Sequence, residues 1–264
     1  MQPIILAHGF IGFRRLLFWS MFDGVVEALQ QQGCKAIQPI THPTATIEQR
    51  SRQLMEYINR ELGEETRFHW VGHSMGGLDG RYIASPGGMN LGHRFLSLTT
   101  LSTPHHGSSI ATKIPRWMEC LLSSAARIGR HLISGEQRQY LDALAECNWQ
   151  GLKQLTPQYM EQDFNPRITD HADVKYLSYA GQIDYCNINF SNLLRQPVWR
   201  FMKTSEGDND CMVSVQSAMW GEFKGTIPCD HGAMIGLQFI PWAQHYFDHI
   251  AFFVSLAQEL GKFE

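Results

Sequence analysis

The chain has 264 residues, 44% of them hydrophobic and 18% charged, with a formal net charge of −3. That is enough for one large domain with a sizeable core. The charge gives no reason to expect nucleic acid or an anionic bilayer as partner, and no apolar run approaches the length that crosses a membrane.

In chain order, PIILAHG (3–9) is a short apolar run closed by glycine, as in a buried parallel strand. Because it reads as a strand almost from Met1, no signal peptide is expected in this numbering. That favours the cytoplasm, unless a leader was removed before residue 1. FDGVVEALQQQG (22–33) has helical spacing at Val25, Val26 and Leu29 and closes on Gly33. CKAIQPI (34–40) is strand-like. TIEQRSRQLMEYINRELG (46–63) places Ile47, Leu54, Ile58 and Leu62 on one helical face, with capping-box spacing between Thr46 and Gln49. RFHWVGH (67–73) is the next strand and MGGLDGRYIA opens a helix. RFLSLTTLST (94–103) and VKYLSYAG (174–181) are further strands, with another over Phe223 to Ile227. The chain closes on an amphipathic helix from about Pro241 to Leu260. Repeated βα units predict an α/β fold, a mostly parallel central sheet with helices on both faces.

From about Ile110 to Asn165 the alternation stops and every segment reads as helix. This is an insertion lying on one 1–264 domain, not a second domain. Six cysteines (Cys34, Cys120, Cys147, Cys186, Cys211 and Cys229) show no metal spacing. Buried, reduced thiols are expected, with a Cys211–Cys229 disulfide left open.

Gly72-His73-Ser74-Met75-Gly76 matches G-x-S-x-G between a strand and a helix. In that context the pattern is a nucleophile elbow, which lifts a serine Oγ above the sheet on a strained turn. The same turn aims backbone N–H groups at whatever the serine attacks. A serine needs a base, itself oriented by an acid, and in this topology they follow in the order serine, acid, histidine. His231, in the loop PCDHGAMIG, is the candidate base, whereas His245 and His249 sit four apart on the terminal helix. EGDNDCMV offers two acids, Asp208 and Asp210, and their spacing does not choose between them.

The segments PIILAHGFIGF, VGHSMGGLDGRY, TLSTPHHGSS, LTPQYMEQDFN and NDCMVSVQSAMWG, in this order over nearly the whole chain, resemble the triacylglycerol lipase family of α/β-hydrolases. These are the Pseudomonas and Burkholderia type enzymes with their fungal and plant relatives. The resemblance implies the α/β-hydrolase fold with a helical lid or cap at about 110–165. It assigns the acid to Asp210, on the motif N-D-G-[LM]-V, with Cys211 in place of the usual glycine. It implies an oxyanion hole built from the backbone N–H groups of Phe10 and Met75. By the same resemblance His8 braces its loop, and His105 and His106 shape the pocket wall. Trp117, Leu121 and His106 are the candidate substrate contacts, with Trp117 and Leu121 on a lid over 115–133.

The implied activity is hydrolysis of carboxylic esters of glycerol through an acyl-enzyme on Ser74, with a lipid or small-molecule ester as substrate and transient contact with a lipid interface. A carboxylesterase on short soluble esters, a phospholipase or an acyltransferase would use the same triad. A non-catalytic lipid-binding scaffold would have no use for a strained serine. No cofactor is implied. Many bacterial relatives hold a structural calcium ion, with an aspartate two residues after the histidine as ligand. That position is Ala233 here, so no metal is expected.

Overall fold

Three apolar-rich runs become the centre of one sheet. In the computed structural model β1 (Ile4–Ala7), β5 (Phe68–His73) and β6 (Phe95–Leu101) are buried along their whole length. Parallel strands covered on both faces have that composition. The structure describes residues 1–264 except 17–18, 115, 132, 147–148, 186–194, 238–246 and 264, and except the side chains at 19, 116–121 and 136. Among the described residues β4 (Ala36–Ile37), β7 (Lys175–Gly181) and β8 (Glu222–Ile227) complete a six-stranded sheet of order β4-β1-β5-β6-β7-β8. Every pairing in it is parallel. A two-stranded antiparallel hairpin, β2 (Arg15–Leu16) with β3 (Trp19–Ser20), stands apart and was not expected from the sequence.

Successive residues of a strand face opposite sides, and β1 shows the consequence. Ile4 and Leu6 join a core with α1 (Val25–Gln31) and α11 (His249–Leu260), through Val25, Leu29, Phe253 and Leu256. Ile5 and Ala7 join a second core with α2 (Ile47–Leu62) and α3 (Met75–Ala84), through Leu54, Ile58 and Ile83. The expected capping box of α2 is present: Thr46 Oγ1 accepts from Gln49 N–H, and Gln49 Oε1 accepts from Thr46 N–H.

Between β6 and β7 the described residues form helices and turns only. These are α4 (Arg116–Gly129), α5 (Gly135–Ala145), α6 (Gln150–Lys153), α7 (Pro157–Tyr159) and α8 (Asn165–Arg167), with α4 packed on α5. After β7 come α9 (Gln196–Glu206) and α10 (Val215–Ala218). Helix α9 was not expected from the sequence; Trp199 and Met202 lie buried on its inner face and Gly207, at φ 91°, ends it. The terminal helix begins at His249, and 241–246 of the expected span lie outside the described residues.

One topological fact places the site. β4 lies on one side of β1 and β5 on the other, so the winding of the sheet reverses between β1 and β5. Ligands of open α/β sheets bind at the carboxyl ends of the strands that flank such a reversal. Here those ends lead into Gly9–Phe10 and Ser74.

Candidate active site

Ser74 sits at φ 55°, ψ −129°, between the end of β5 and the first residue of α3. Such a conformation costs about 1–3 kcal/mol and persists only where its surroundings enforce it. The enforcement is steric and polar. A Cβ on Gly72 would strike the backbone of Gly76 and Gly77, and one on Gly76 would strike the carbonyl of Ala7 in β1. A Cβ on Gly9 would come within 2.6 Å of the Ser74 Cβ. The chain therefore turns with no spare atom. Thr103, fully buried after β6, donates its hydroxyl to the Ser74 carbonyl at 2.8 Å and fixes the peptide that the turn twists. The sequence reading assigned Thr103 no role.

Asp210 is fully buried in the turn that leads to α10. Its Oδ1 accepts from the N–H groups of Met212 (2.9 Å) and Val213 (2.8 Å), and its Oδ2 lies 2.7 Å from His231 Nδ1. The backbone repeats the link, because His231 N–H donates to the Asp210 carbonyl at 3.0 Å. Of the two acids left open by spacing, Asp210 is thus the one beside the histidine, whereas Asp208 pairs with Lys203 at the surface. The histidine loop is then tied to the elbow. His73 Nε2–H donates to the His231 carbonyl at 2.9 Å, and the two rings lie 4.5 Å apart. A carbonyl can only accept, so the His73 proton resides on Nε2. Burial, then the neighbouring His231, holds the His73 ring well below the ordinary histidine range. Among the described residues no hydrogen bond joins Ser74 Oγ to His231. Such bonds often tighten only around substrate.

Cys211, the residue standing where the resembled motif has glycine, adopts φ 82°. The turn demands the left-handed conformation whatever the side chain. Cys211 N–H donates to Asn209 Oδ1 at 2.9 Å, and its thiol is buried beside Ile183, Tyr185 and Trp199. Restoring glycine relieves roughly 1 kcal/mol of backbone strain and forfeits comparable thiol packing and chain entropy. Cys211→Gly should therefore shift the urea midpoint by less than about 1 kcal/mol equivalent and leave turnover intact. Cys211→Val, β-branched in the same conformation, should cost more than about 2 kcal/mol. Equal stability of the two variants would refute the strain argument.

No family model matches the chain. Triacylglycerol lipase 2 of Saccharomyces cerevisiae is 30% identical over 225 residues, covering 81% of this chain and 61% of its own length. The triacylglycerol lipase of Pseudomonas fragi is 34% identical over 115 residues, 42% of this chain and 38% of its own. The chain thus spans 61% or less of the length of these curated relatives. Among solved structures, Staphylococcus hyicus lipase superposes with a TM-score of 0.76 at 17% identity over 99% of this chain and 96% of its own. EstA from Clostridium botulinum superposes at 0.73 and 17% over 100% and 87%; at such identities the two structures speak for the fold. The chain has the α/β-hydrolase fold and is related to the triacylglycerol lipases.

For a lipase relative, the oxyanion donors implied by resemblance are the N–H groups of Phe10 and Met75. Met75 opens α3, so its N–H has no acceptor one turn earlier. Phe10 follows Gly9 in the loop after β1, and His8 braces that loop. His8 Nδ1–H donates to the Gly9 carbonyl (3.0 Å), and Nε2 accepts from Thr41 N–H (3.3 Å). Burial, then Arg50, pushes the His8 ring down to about 3, so it stays neutral. A buried clamp that the sequence reading missed completes the frame. Arg50 of α2 grips Asp79 of α3 through Nε and Nη2, with the shortest contact 2.7 Å, and Nη2 also donates to the His8 carbonyl at 2.7 Å. Arg50 and Ile47 lie three apart on a helix otherwise read for its apolar face, a signal easily passed over.

The remaining expected contacts are placed less closely. His106 lines a cavity of 610 Å³ with Glu161, Asn165 and Glu206, and neither Ser74 nor His231 is among its walls. The side chains of Trp117 and Leu121 lie outside the described residues. His105 is fully buried, accepts from Arg81 Nη1 at 3.3 Å and stacks on Trp220. Cys211 and Cys229 are free and buried, so the disulfide left open by the sequence does not form.

The residues present do not fit the calcium ion that the resemblance raises. Ala233 brings no side-chain oxygen, and its N–H donates to Asp230 Oδ1. That carboxylate also takes Gly232 N–H on Oδ1, and Tyr185 Oη–H and Arg195 on Oδ2. A guanidinium already neutralises the acid that a hard cation would need.

Proposed function

We propose that the chain is a serine ester hydrolase acting on acylglycerols. Ser74 Oγ attacks the ester carbonyl carbon while His231 Nε2 takes its proton. The tetrahedral oxyanion is held by the Phe10 and Met75 N–H groups, each such donor being worth on the order of 3 kcal/mol in the transition state. His231 returns the proton to the departing alcohol oxygen, leaving an acyl-enzyme, and Asp210 stabilises the imidazolium in between. Water, deprotonated by His231, then releases the acid. The observation that carries this reading is the buried Asp210 carboxylate 2.7 Å from His231 Nδ1, with the His231 loop tied to the residue before a strained serine.

The chemical test is covalent. A fluorophosphonate should add once to the native protein, at Ser74, and Ser74→Ala should remain folded while losing the label and nearly all ester turnover. Labelling elsewhere, or turnover surviving in Ser74→Ala, would sink the reading.

A specific observation favours a lipid over a soluble ester. Helix α4 leaves Ile128 (70% accessible) and Leu122 exposed to water. Contact of these two side chains with lipid would remove their apolar area from water. Hydrolysis of a medium-chain glyceride should then rise steeply as its solubility limit is passed. Leu122→Ser with Ile128→Ser should blunt that rise several-fold and leave short soluble esters unaffected. Rates that saturate below the limit would instead mark an esterase.

A further inference from the structure

A pocket of 370 Å³ opens between the segment that follows Phe10 and helix α5. Its apolar walls are Phe13, Ile40, Pro43, Tyr140 and Ala143. The polar part of the lining has a single sign. Arg14 and Arg15 stand at the pocket with exposed side chains, and neither has an ion-pair partner among the described residues. Among the described residues no aspartate or glutamate lines it, in a chain whose net charge is −3, and the acid that acts on the lining is Glu146, beside His42.

The neutral polar groups add donors. Gln53 spends its Oε1 on His42 N–H at 2.8 Å, which leaves the amide NH₂. His42 Nδ1 accepts from Thr44 N–H at 3.4 Å, which puts the ring proton on Nε2. Burial, then Arg50, lowers the His42 pKa, so the positive charge at the pocket comes from the two arginines. Apolar walls with a forked, donor-rich mouth match a molecule that has an apolar chain and an anionic head.

We propose that this pocket binds an amphiphile whose head is a carboxylate or phosphate monoester and whose tail is a single alkyl chain. The head pairs with Arg14 and Arg15 and the tail lies on Phe13, Ile40 and Tyr140. The pocket also touches the candidate catalytic loop from behind. Tyr140 Oη–H donates to the Ile11 carbonyl at 3.0 Å, and Ile11 N–H donates to the Pro43 carbonyl at 2.7 Å. A bound amphiphile thus braces the loop that carries Phe10. The binding itself does not depend on Ser74 being a nucleophile.

The test is calorimetric titration of the full chain, below the micellar limit, with dodecanoate, dodecyl phosphate, dodecanol and inorganic phosphate. Both dodecyl anions should bind at least about tenfold more tightly than dodecanol. Arg14→Gln with Arg15→Gln should abolish that advantage and leave dodecanol unchanged. Ala143→Phe, which fills the pocket without touching charge, should weaken all three alkyl ligands. Dodecanol binding as well as the anions, or anion affinity surviving the arginine changes, would overturn the proposal. Inorganic phosphate matching dodecyl phosphate would overturn the tail and leave a free-anion site. The same titrations after the Ser74 hydroxyl has been blocked with a fluorophosphonate should be unchanged. If blocking abolishes binding, the ligand sits in the cleft over Ser74 and the separate pocket is refuted. If no adduct forms at Ser74, it is the hydrolase reading that fails while the binding result stands.

Discussion

Asp210→Asn should lower kcat by about 10⁴-fold, the size such a change has in serine hydrolase triads, while the fold and KM stay close to native. The reason lies in which way the new amide must point. Asp210 Oδ1 accepts two backbone N–H groups, from Met212 and Val213. In asparagine only the oxygen can keep those bonds, so the NH₂ is forced towards His231 Nδ1. That nitrogen then has to accept, the ring proton moves to Nε2, and the histidine offers Ser74 a donor where a base is required. Asp208→Asn, at an exposed carboxylate paired with Lys203, should leave turnover within about twofold. The comparison is read from kcat on one ester for both variants, with circular dichroism to check the fold. Inactivation by the Asp208 change and survival of the Asp210 change would reverse the assignment.

Acid should unfold this protein steeply between pH 6 and 5. His8, His73 and His105 are buried, and each is held below the ordinary histidine value of 6.5: His8 at about 3, the others well below it. Burial is the largest cause in all three, reinforced by Arg50 at His8, by His231 at His73 and by Arg81 at His105. The sign follows from proton binding. Below 6.5 the unfolded chain takes up protons that the folded chain refuses, so stability is full above 6.5 and is lost as pH falls towards the folded values. Each histidine removes about 1.4 kcal/mol per pH unit once well below 6.5, so three remove about 4 kcal/mol between pH 6 and 5. That is a large share of the roughly 5–15 kcal/mol that holds a typical domain folded. Urea midpoints at pH 7.5, 6 and 5 measure the loss. Calorimetry in buffers of different ionisation enthalpy should show net proton uptake on unfolding near pH 5.5, with the three histidines contributing about three protons and Asp79, raised to about 6 by burial, releasing part of one. A flat profile, or uptake below one proton, would show that these rings are already charged in the folded protein.

Much of this arrangement could be read along the chain because short-range geometry dictates it. PIILAHG, RFHWVGH and RFLSLTTLST carry apolar residues and no Asp, Glu, Lys or Arg inside the strands because those strands are covered on both faces, and they lie within a residue or two of β1, β5 and β6. Gly72 and Gly76 flag the elbow because a Cβ at either would meet backbone. What the chain concealed is pairing across distance. Arg50 and Asp79 are 29 residues apart, and nothing in either neighbourhood announces a buried ion pair. Thr103 looked like the last residue of an expected strand, yet it holds the Ser74 carbonyl. Spacing alone left Asp208 and Asp210 both in a polar turn; the family resemblance pointed to Asp210, and in the fold it is Asp210 that lies beside His231. The Cys211–Cys229 disulfide that the sequence left open does not form, and both thiols are buried.

The long helical stretch between β6 and β7 enters and leaves the sheet at neighbouring strands, and its length is invisible to the strand register. Five residue pairs, from Ser97–Lys175 to Leu101–Tyr179, align whether the excursion between them is long or short. Ser74, Gly9–Phe10 and the Arg50–Asp79 clamp belong to the part of the chain that precedes this excursion, and Asp210 with His231 to the part that follows it. Loop closure grows only slowly more costly with length, by about 0.6 kcal/mol for each doubling. The fold therefore leaves one long stretch of sequence free to vary in size and surface, while the candidate reacting groups are spaced by a lattice of backbone that does not register the change.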